Sequence, residues 1–148
     1  MNRPVLIGLT VLLLAFGLAL SLLRPAAGAA LATRGLAIGE SGVVEVLRLR
    51  VPAAERTCWR QAEAHSWEPW LLEQAGYRGR ELLWDAKLEE GMLLIGWARQ
   101  SDWDAIAPEQ IESVQARFEA EARRCLGRAE ASANPFPLLS SGALLPER

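Results

Sequence analysis

The stretch from Gly76 to Ala98, GYRGRELLWDAKLEEGMLLIGWA, constrains the chain most. It reads as two extended runs joined by a charged turn. Tyr77 to Asp85 forms the first run and carries Trp84. Lys87 to Gly91 forms the turn, where Gly91 can take a positive φ at little steric cost. Met92 to Ala98 is almost wholly apolar, the pattern of a strand covered on both faces. A strand and a helix precede this hairpin and a helix follows it, giving the order β-α-β-β-α.

Before the hairpin, Val43 to Val51 (VVEVLRLRV) mixes Glu45, Arg48 and Arg50 with Val46, Leu47 and Leu49, as a strand partly exposed on one face does. Pro52 ends it and suits a helix start. A helix is expected from about Ala53 to Ala75. Cys58, Ala62, His65 and Leu72 share one of its faces, and Trp59 and Trp70 lie near that face. Pro69 must interrupt or restart this helix, with a kink after Trp67, because it lacks a donor and clashes with the preceding turn. After the hairpin, Ser101 or Asp102 can cap a short turn bearing Trp103 and Ile106. Pro108 starts the second main helix. Ile111, Val114, Phe118, Ala122 and Cys125 recur there at spacings of three and four, an amphipathic stripe, and Gly127 suits its C-terminal cap. Residues 128–148 read as a Pro-rich tail, within which PLLSSGALL can hold a last strand.

The N-terminus sets the address. Pro4 to Leu23 has no charged residue, and as a helix it would be ~30 Å long, the thickness of a bilayer core. Residues 1–32 therefore read as a signal peptide or a membrane anchor. Arg24 after the apolar run favours an anchor, and Ala27-Gly28-Ala29 and Ala30-Leu31-Ala32 fit a cleavage site. Basic residues on both sides leave the orientation weakly set, and export of the C-terminal part is the simpler layout. Residues 33–42 read as a linker, leading into a domain at 43–127.

Composition narrows the partners. The chain has 16 basic and 18 acidic residues and a net charge of −2, which gives no electrostatic reason to expect nucleic acid. Six Trp against three Phe and one Tyr put unusual weight on indole rings, each with one N–H to satisfy.

The order of elements resembles the ferredoxin-like dimeric α/β barrel, which includes antibiotic-biosynthesis-monooxygenase-like and haem-degrading proteins. Val43-Val44-Glu45 with Arg50-Val51-Pro52, Trp67-Glu68-Pro69 with Leu71, and Gly76-Tyr77-Arg78-Gly79 with Glu81 and Trp84 look like a small branch of that superfamily. Ile95, Trp97, Trp103, Ile106 and Pro108 continue the likeness, over roughly residues 43–126. Glu68 stands where the family usually has a small hydroxyl residue, and PLLSSGALL is an eroded closing strand. The resemblance implies an α+β, ferredoxin-like β-α-β-β-α-β antiparallel sheet with two helices on one face. It also implies a homodimer in which two sheets enclose a pocket. It implies a fold rather than an activity.

In that sandwich the helices run antiparallel, so Cys58 near the start of one and Cys125 near the end of the other can form a disulfide in an oxidising compartment; two buried thiols are the alternative. His65, the only histidine, could ligate haem or sit at a helix surface. Trp67, Trp84, Trp97 and Trp103 could line a pocket for a small apolar or aromatic ligand, with Glu81 or Arg80 polarising it. Aromatics at such spacings also serve a core or a dimer interface. Asn134 lies in the tail, apart from these aromatics in sequence, which counts against an oxygenase built on Asn, Trp and His. No CxxC or carboxylate cluster suggests a metal, and Gly76-x-x-Gly79 leads into a strand rather than a phosphate-binding helix. The functional expectation is a non-catalytic, membrane-anchored or exported domain that binds a small ligand or assembles, with no cofactor. A metal-free monooxygenase-like enzyme is the second expectation, and haem binding through His65 the third.

Overall fold

The computed structural model describes residue 36 and residues 38–147. The signal-or-anchor expectation for residues 1–32 falls outside them. Among the described residues no helix is long and apolar enough to cross a membrane.

Four strands form one antiparallel sheet: β1 (Val43–Arg50), β2 (Tyr77–Asp85), β3 (Glu90–Trp97) and β4 (Leu138–Leu144), in the spatial order β2-β3-β1-β4. Three of its four strands precede the second long helix, and β4 returns to the free edge of β1. Helices α1 (Arg56–His65), α2 (Trp67–Leu72), α3 (Gln100–Asp104) and α4 (Pro108–Leu126) complete the α+β domain. The last strand thus forms out of LLSSGAL, although every one of its residues is exposed, because β1 offers it a ladder from Val44–Leu144 to Leu49–Leu138, interrupted by a register shift between Arg48 and Leu49.

The hairpin differs in detail from the sequence reading. Trp84 pairs with Gly91 and Leu82 with Leu93, so Gly91 belongs to β3. The positive φ of the turn falls on Glu89, at 53°. Gly91 is needed for a different reason. A Cβ there would lie 2.8 Å from Trp59 Cζ2 and 2.9 Å from Val51 Cγ2, so only hydrogen lets the indole rest on the strand. The apolar run is buried on one face only: Leu93, Ile95 and Trp97 lie in the core, while Met92 and Leu94 are half-exposed on the opposite face.

The first helical segment breaks at Ser66, whose backbone (φ −127°, ψ −73°) ends α1 and starts α2. The break precedes Trp67 rather than following it. Pro69 then sits in the first turn of α2, where no N–H donor is required. The buried face of α1 is Trp59, Ala62 and Glu63, rotated from the face that carries Cys58 and His65. At α3 the residue before the helix is Arg99, and Asp102 accepts from its guanidinium (2.6 Å) instead of capping. Pro108 opens α4, and Gly127 closes it in the left-handed region (φ 64°), its N–H donating to Arg124 O.

Cys58 and Cys125 are joined by a disulfide, with Cα atoms 5.5 Å apart and both residues half-buried. It ties the start of α1 to the end of α4. The tail is docked: Arg123 Nε donates to Ser132 O (2.8 Å), and Phe136 is fully buried against Phe118. Part of the stretch 33–42 also lies on the sheet. Ser41 is buried, Leu36 N donates to Glu81 (3.2 Å), and Gly42 N donates to Trp97 O.

Candidate functional site

A cavity of about 320 Å³ opens between the sheet and the helices. Its floor is sheet: Glu45, Leu47 and Leu49 from β1, with Leu93, Ile95 and Trp97 from β3. These alternate positions share one face because a strand's side chains repeat every second residue. Glu63, Trp67, Trp70 and Leu71 form one wall, and Ile111, Gln115 and Phe118 of α4 the other. Trp103 and Ile106 close one side, and Asn134 and Phe136 come in from the tail. The cavity therefore lies on the helix side of the sheet, not between two sheets facing across a two-fold axis. The helical layer breaks there, at Ser66.

Trp67, Trp97 and Trp103 line this cavity together with Trp70. Trp67 and Trp70 meet edge to face, with ring centroids 5.5 Å apart and planes at 83°, so they form a right-angled corner. The Trp97 indole meets Tyr77 edge-on at 6.1 Å. Trp84 is elsewhere: its indole N–H donates to Val51 O (3.0 Å) and Arg56 stacks over its ring at 4.9 Å. It is a packing residue at the opposite end of the domain.

Arg80 does not reach the cavity. Its guanidinium is buried behind Glu63, donating to Glu63 Oε2 (2.7 Å) and Glu68 Oε2 (3.0 Å). Its two terminal nitrogens are thus engaged by carboxylates, while its Nε is buried without a hydrogen-bond partner among the described residues. Glu81 points to the other face of the sheet and is exposed, because it follows Arg80 by one residue in an alternating strand. His65 is 56% exposed on α1, with Glu121 at 3.8 Å, and does not line the cavity. Among the described residues no cluster of His, Cys, Asp or Glu could hold a metal ion.

Two carboxyl groups at the cavity were not singled out by the sequence. Glu63 is fully buried, and that loss of water pushes its pKa up to about 7, with Arg80 and the neighbouring Trp59 indole pulling it back. Glu45 is raised in the same direction by burial, partly offset by the Trp97 indole N–H, which donates to Glu45 Oε2 at 3.2 Å. A carboxyl that stays half-protonated near neutrality can accept or release a proton there. Asn134 also reaches the cavity. Its Oδ1 accepts from Phe136 N (2.9 Å), a local turn that folds the tail against Phe118. Distance in sequence thus gave the wrong impression of its place. Glu63 is a core residue because α1 buries the face that carries Trp59 and Ala62, and the Arg80 guanidinium from β2 meets it there.

The fold is that of a monooxygenase from the gene ActVA-Orf6 of Streptomyces coelicolor, solved in complex with the ligand nanaomycin D: TM-score 0.52, 14% identity, over 74% of this chain and 91% of that one. The resemblance to antibiotic-biosynthesis-monooxygenase-like proteins accordingly holds at the level of the fold. Weaker likenesses are to SnoaB, a cofactor-independent oxygenase from Streptomyces nogalater (TM-score 0.44, 13% identity, 73% of this chain and 95% of that one), and to Rv0793 from Mycobacterium tuberculosis (0.46, 16%, 72% and 95%). No protein-family model matches the sequence, and no curated protein matches it significantly.

Proposed function

We propose that this domain binds a small, largely apolar aromatic molecule in the cavity between its sheet and its helices. The observation that carries this reading is the cavity itself: about 320 Å³, walled by Trp67, Trp70, Trp97 and Trp103, with a few polar groups converging on it. Ligand sites are commonly of this kind, mostly apolar with a small number of placed polar atoms. Calorimetric titration with 4-tert-butylphenol tests it. One saturable site is expected, lost in Ile111→Trp, where a large ring would plug the partly exposed rim of the cavity. Equal binding by the plugged variant would sink the reading.

A second reading, a monooxygenase-like enzyme without a metal, is favoured by Glu63. Its carboxyl, with a pKa of about 7, is placed to take a proton from an electron-rich substrate, whose anion can then pass electrons to O₂. Electrons balance without an external reductant when a CH₂ group becomes C=O and the second oxygen leaves as water. The fold shared with a monooxygenase supports this reading. Oxygen uptake with electron-rich phenols and their benzylic relatives tests it, and Glu63→Gln should remove at least nine-tenths of the rate.

The domain's setting belongs to the same proposal. Residues 1–32 would anchor or export it, and the Cys58–Cys125 disulfide suits an oxidising compartment. A homodimer would cover the half-exposed sheet face of Met92 and Leu94 and the exposed Leu139 and Leu144 of β4. Sedimentation of the chain, with Leu144→Lys as the disrupting variant, tests the dimer.

A further inference from the structure

The charge of the cavity is one-sided. Its lining includes two carboxyl groups, Glu45 and Glu63, and no lysine, arginine or histidine. Glu63 has its positive partner in Arg80, which it shares with Glu68. Glu45 is the least compensated of them. Among the described residues it makes no ion pair, and the hydrogen bond it accepts comes from the neutral indole of Trp97. A carboxylate removed from water without a cationic partner is costly, and a ligand bearing positive charge would supply that partner.

The aromatic walls point the same way. Ring faces of tryptophan attract cations more strongly than those of any other side chain. Trp67 and Trp70, set edge to face at 83°, line the cavity together with Trp97 and Trp103. An anionic ligand would meet two carboxyl groups and no positive partner. A neutral ligand would fill the volume but leave Glu45 uncompensated.

We propose that the cavity selects a small organic cation, an amine or quaternary ammonium carried on an aromatic or apolar body, held between the tryptophan faces and the Glu45 carboxylate. This rests on the ligand-binding reading given above and is independent of the oxygenase one.

Three probes on one phenol scaffold test it by calorimetry on the full chain at pH 7, where their hydroxyls stay protonated: 4-(trimethylammonio)phenol, its neutral isostere 4-tert-butylphenol, and the anion 4-hydroxybenzoate. The cation is expected to bind at least tenfold tighter than the isostere, and the anion at least tenfold weaker than it. Glu45→Gln should narrow the gap between cation and isostere to under threefold, and Ile111→Trp should remove binding of both. An isostere that binds as tightly as the cation overturns the inference and leaves the aromatic-ligand reading standing. Failure of all three probes to bind overturns both. The wild-type comparison decides the matter even if Glu45→Gln folds poorly.

Discussion

At one end of the helix–sheet interface Trp59 and Trp84 fill space; at the other, Trp67, Trp70, Trp97 and Trp103 surround it. The same side chain serves opposite ends because the backbone beneath it differs. At the closed end a strand glycine, Gly91, lets the Trp59 ring lie directly on β3, and Val51 O gives the Trp84 indole its acceptor. The disulfide between the start of α1 and the end of α4 clamps the helices there. At the open end the floor carries full side chains, Leu93 and Ile95, and the helical layer is broken at Ser66. Large rings on α2 then stand off the sheet instead of settling on it. Close packing and open space are thus separated along one interface, and substitutions at the two ends should part company.

The largest stability effect is expected at the closed end. Trp59, 1% exposed, should cost about 4 kcal/mol when cut to alanine, by lost burial and the cavity left behind. Urea unfolding of Trp59→Ala beside Trp67→Ala checks this. Equal losses would erase the distinction between the two ends.

Next is the pH response of the open end. Glu63 has a folded pKa of about 7, raised from the ordinary 4.5, so the native state holds its proton more tightly than the unfolded chain. Its stabilising contribution is therefore complete below about pH 4.5 and is lost as pH rises toward 7, by roughly 3 kcal/mol over the window. Glu45 adds a slope of the same sign. Denaturant midpoints measured from pH 4.5 to 8 should fall, and Glu63→Gln should flatten most of that fall while Arg80 keeps Glu68. A slope unchanged in the variant would place the titration elsewhere.

Reduction of Cys58–Cys125, closing a loop of 67 residues, should cost about 3 kcal/mol, less than the full loop-entropy value because an unfolded chain that keeps residual structure has less entropy for the cross-link to remove. Thermal unfolding with and without reductant reads this directly. The loss should leave ligand affinity within threefold, since the bond lies at the closed end.

The first three strands and helix α4 were legible in the sequence because they rest on local pattern: the mixed run Val43–Arg50, the hairpin runs on each side of its charged turn, and three-four spacing from Ile111 to Cys125; the arrangement of the sheet came only with the resemblance, and the first helix was read unbroken across Ser66. The site was legible in part. Three of the four tryptophans named in advance do reach the cavity, since aromatics in amphipathic segments tend inward. Trp84 does not, because strand phase gives the face but not the distance along it. Glu45 and Glu63 were missed for a shared reason. A carboxylate in a helix or strand is read as solvent-facing, and its burial depends on partners, Arg80 and Trp97, that lie 17 and 52 residues away. Asn134 was missed because the docking of the tail depends on Phe136, a lone aromatic among prolines.

The smallest stability effect separates the ends most sharply. Trp103 follows β3 on the short helix α3 and is only half-buried, with one flank on the cavity. Replacing it by alanine removes contacts from a surface that already faces space, so no new void forms within a packed layer. The cost should be roughly 1 kcal/mol, well under that of Trp59→Ala. Affinity for an aromatic cation, by contrast, should fall at least tenfold, because one wall of the ring of tryptophans is gone. Trp103→Phe keeps an aromatic face of lower electron density and should recover part of that affinity, whereas Trp103→Leu restores apolar bulk alone. Recovery by leucine as full as by phenylalanine would mean that the open end is shaped by volume, like the closed one, and not by the ring faces it presents.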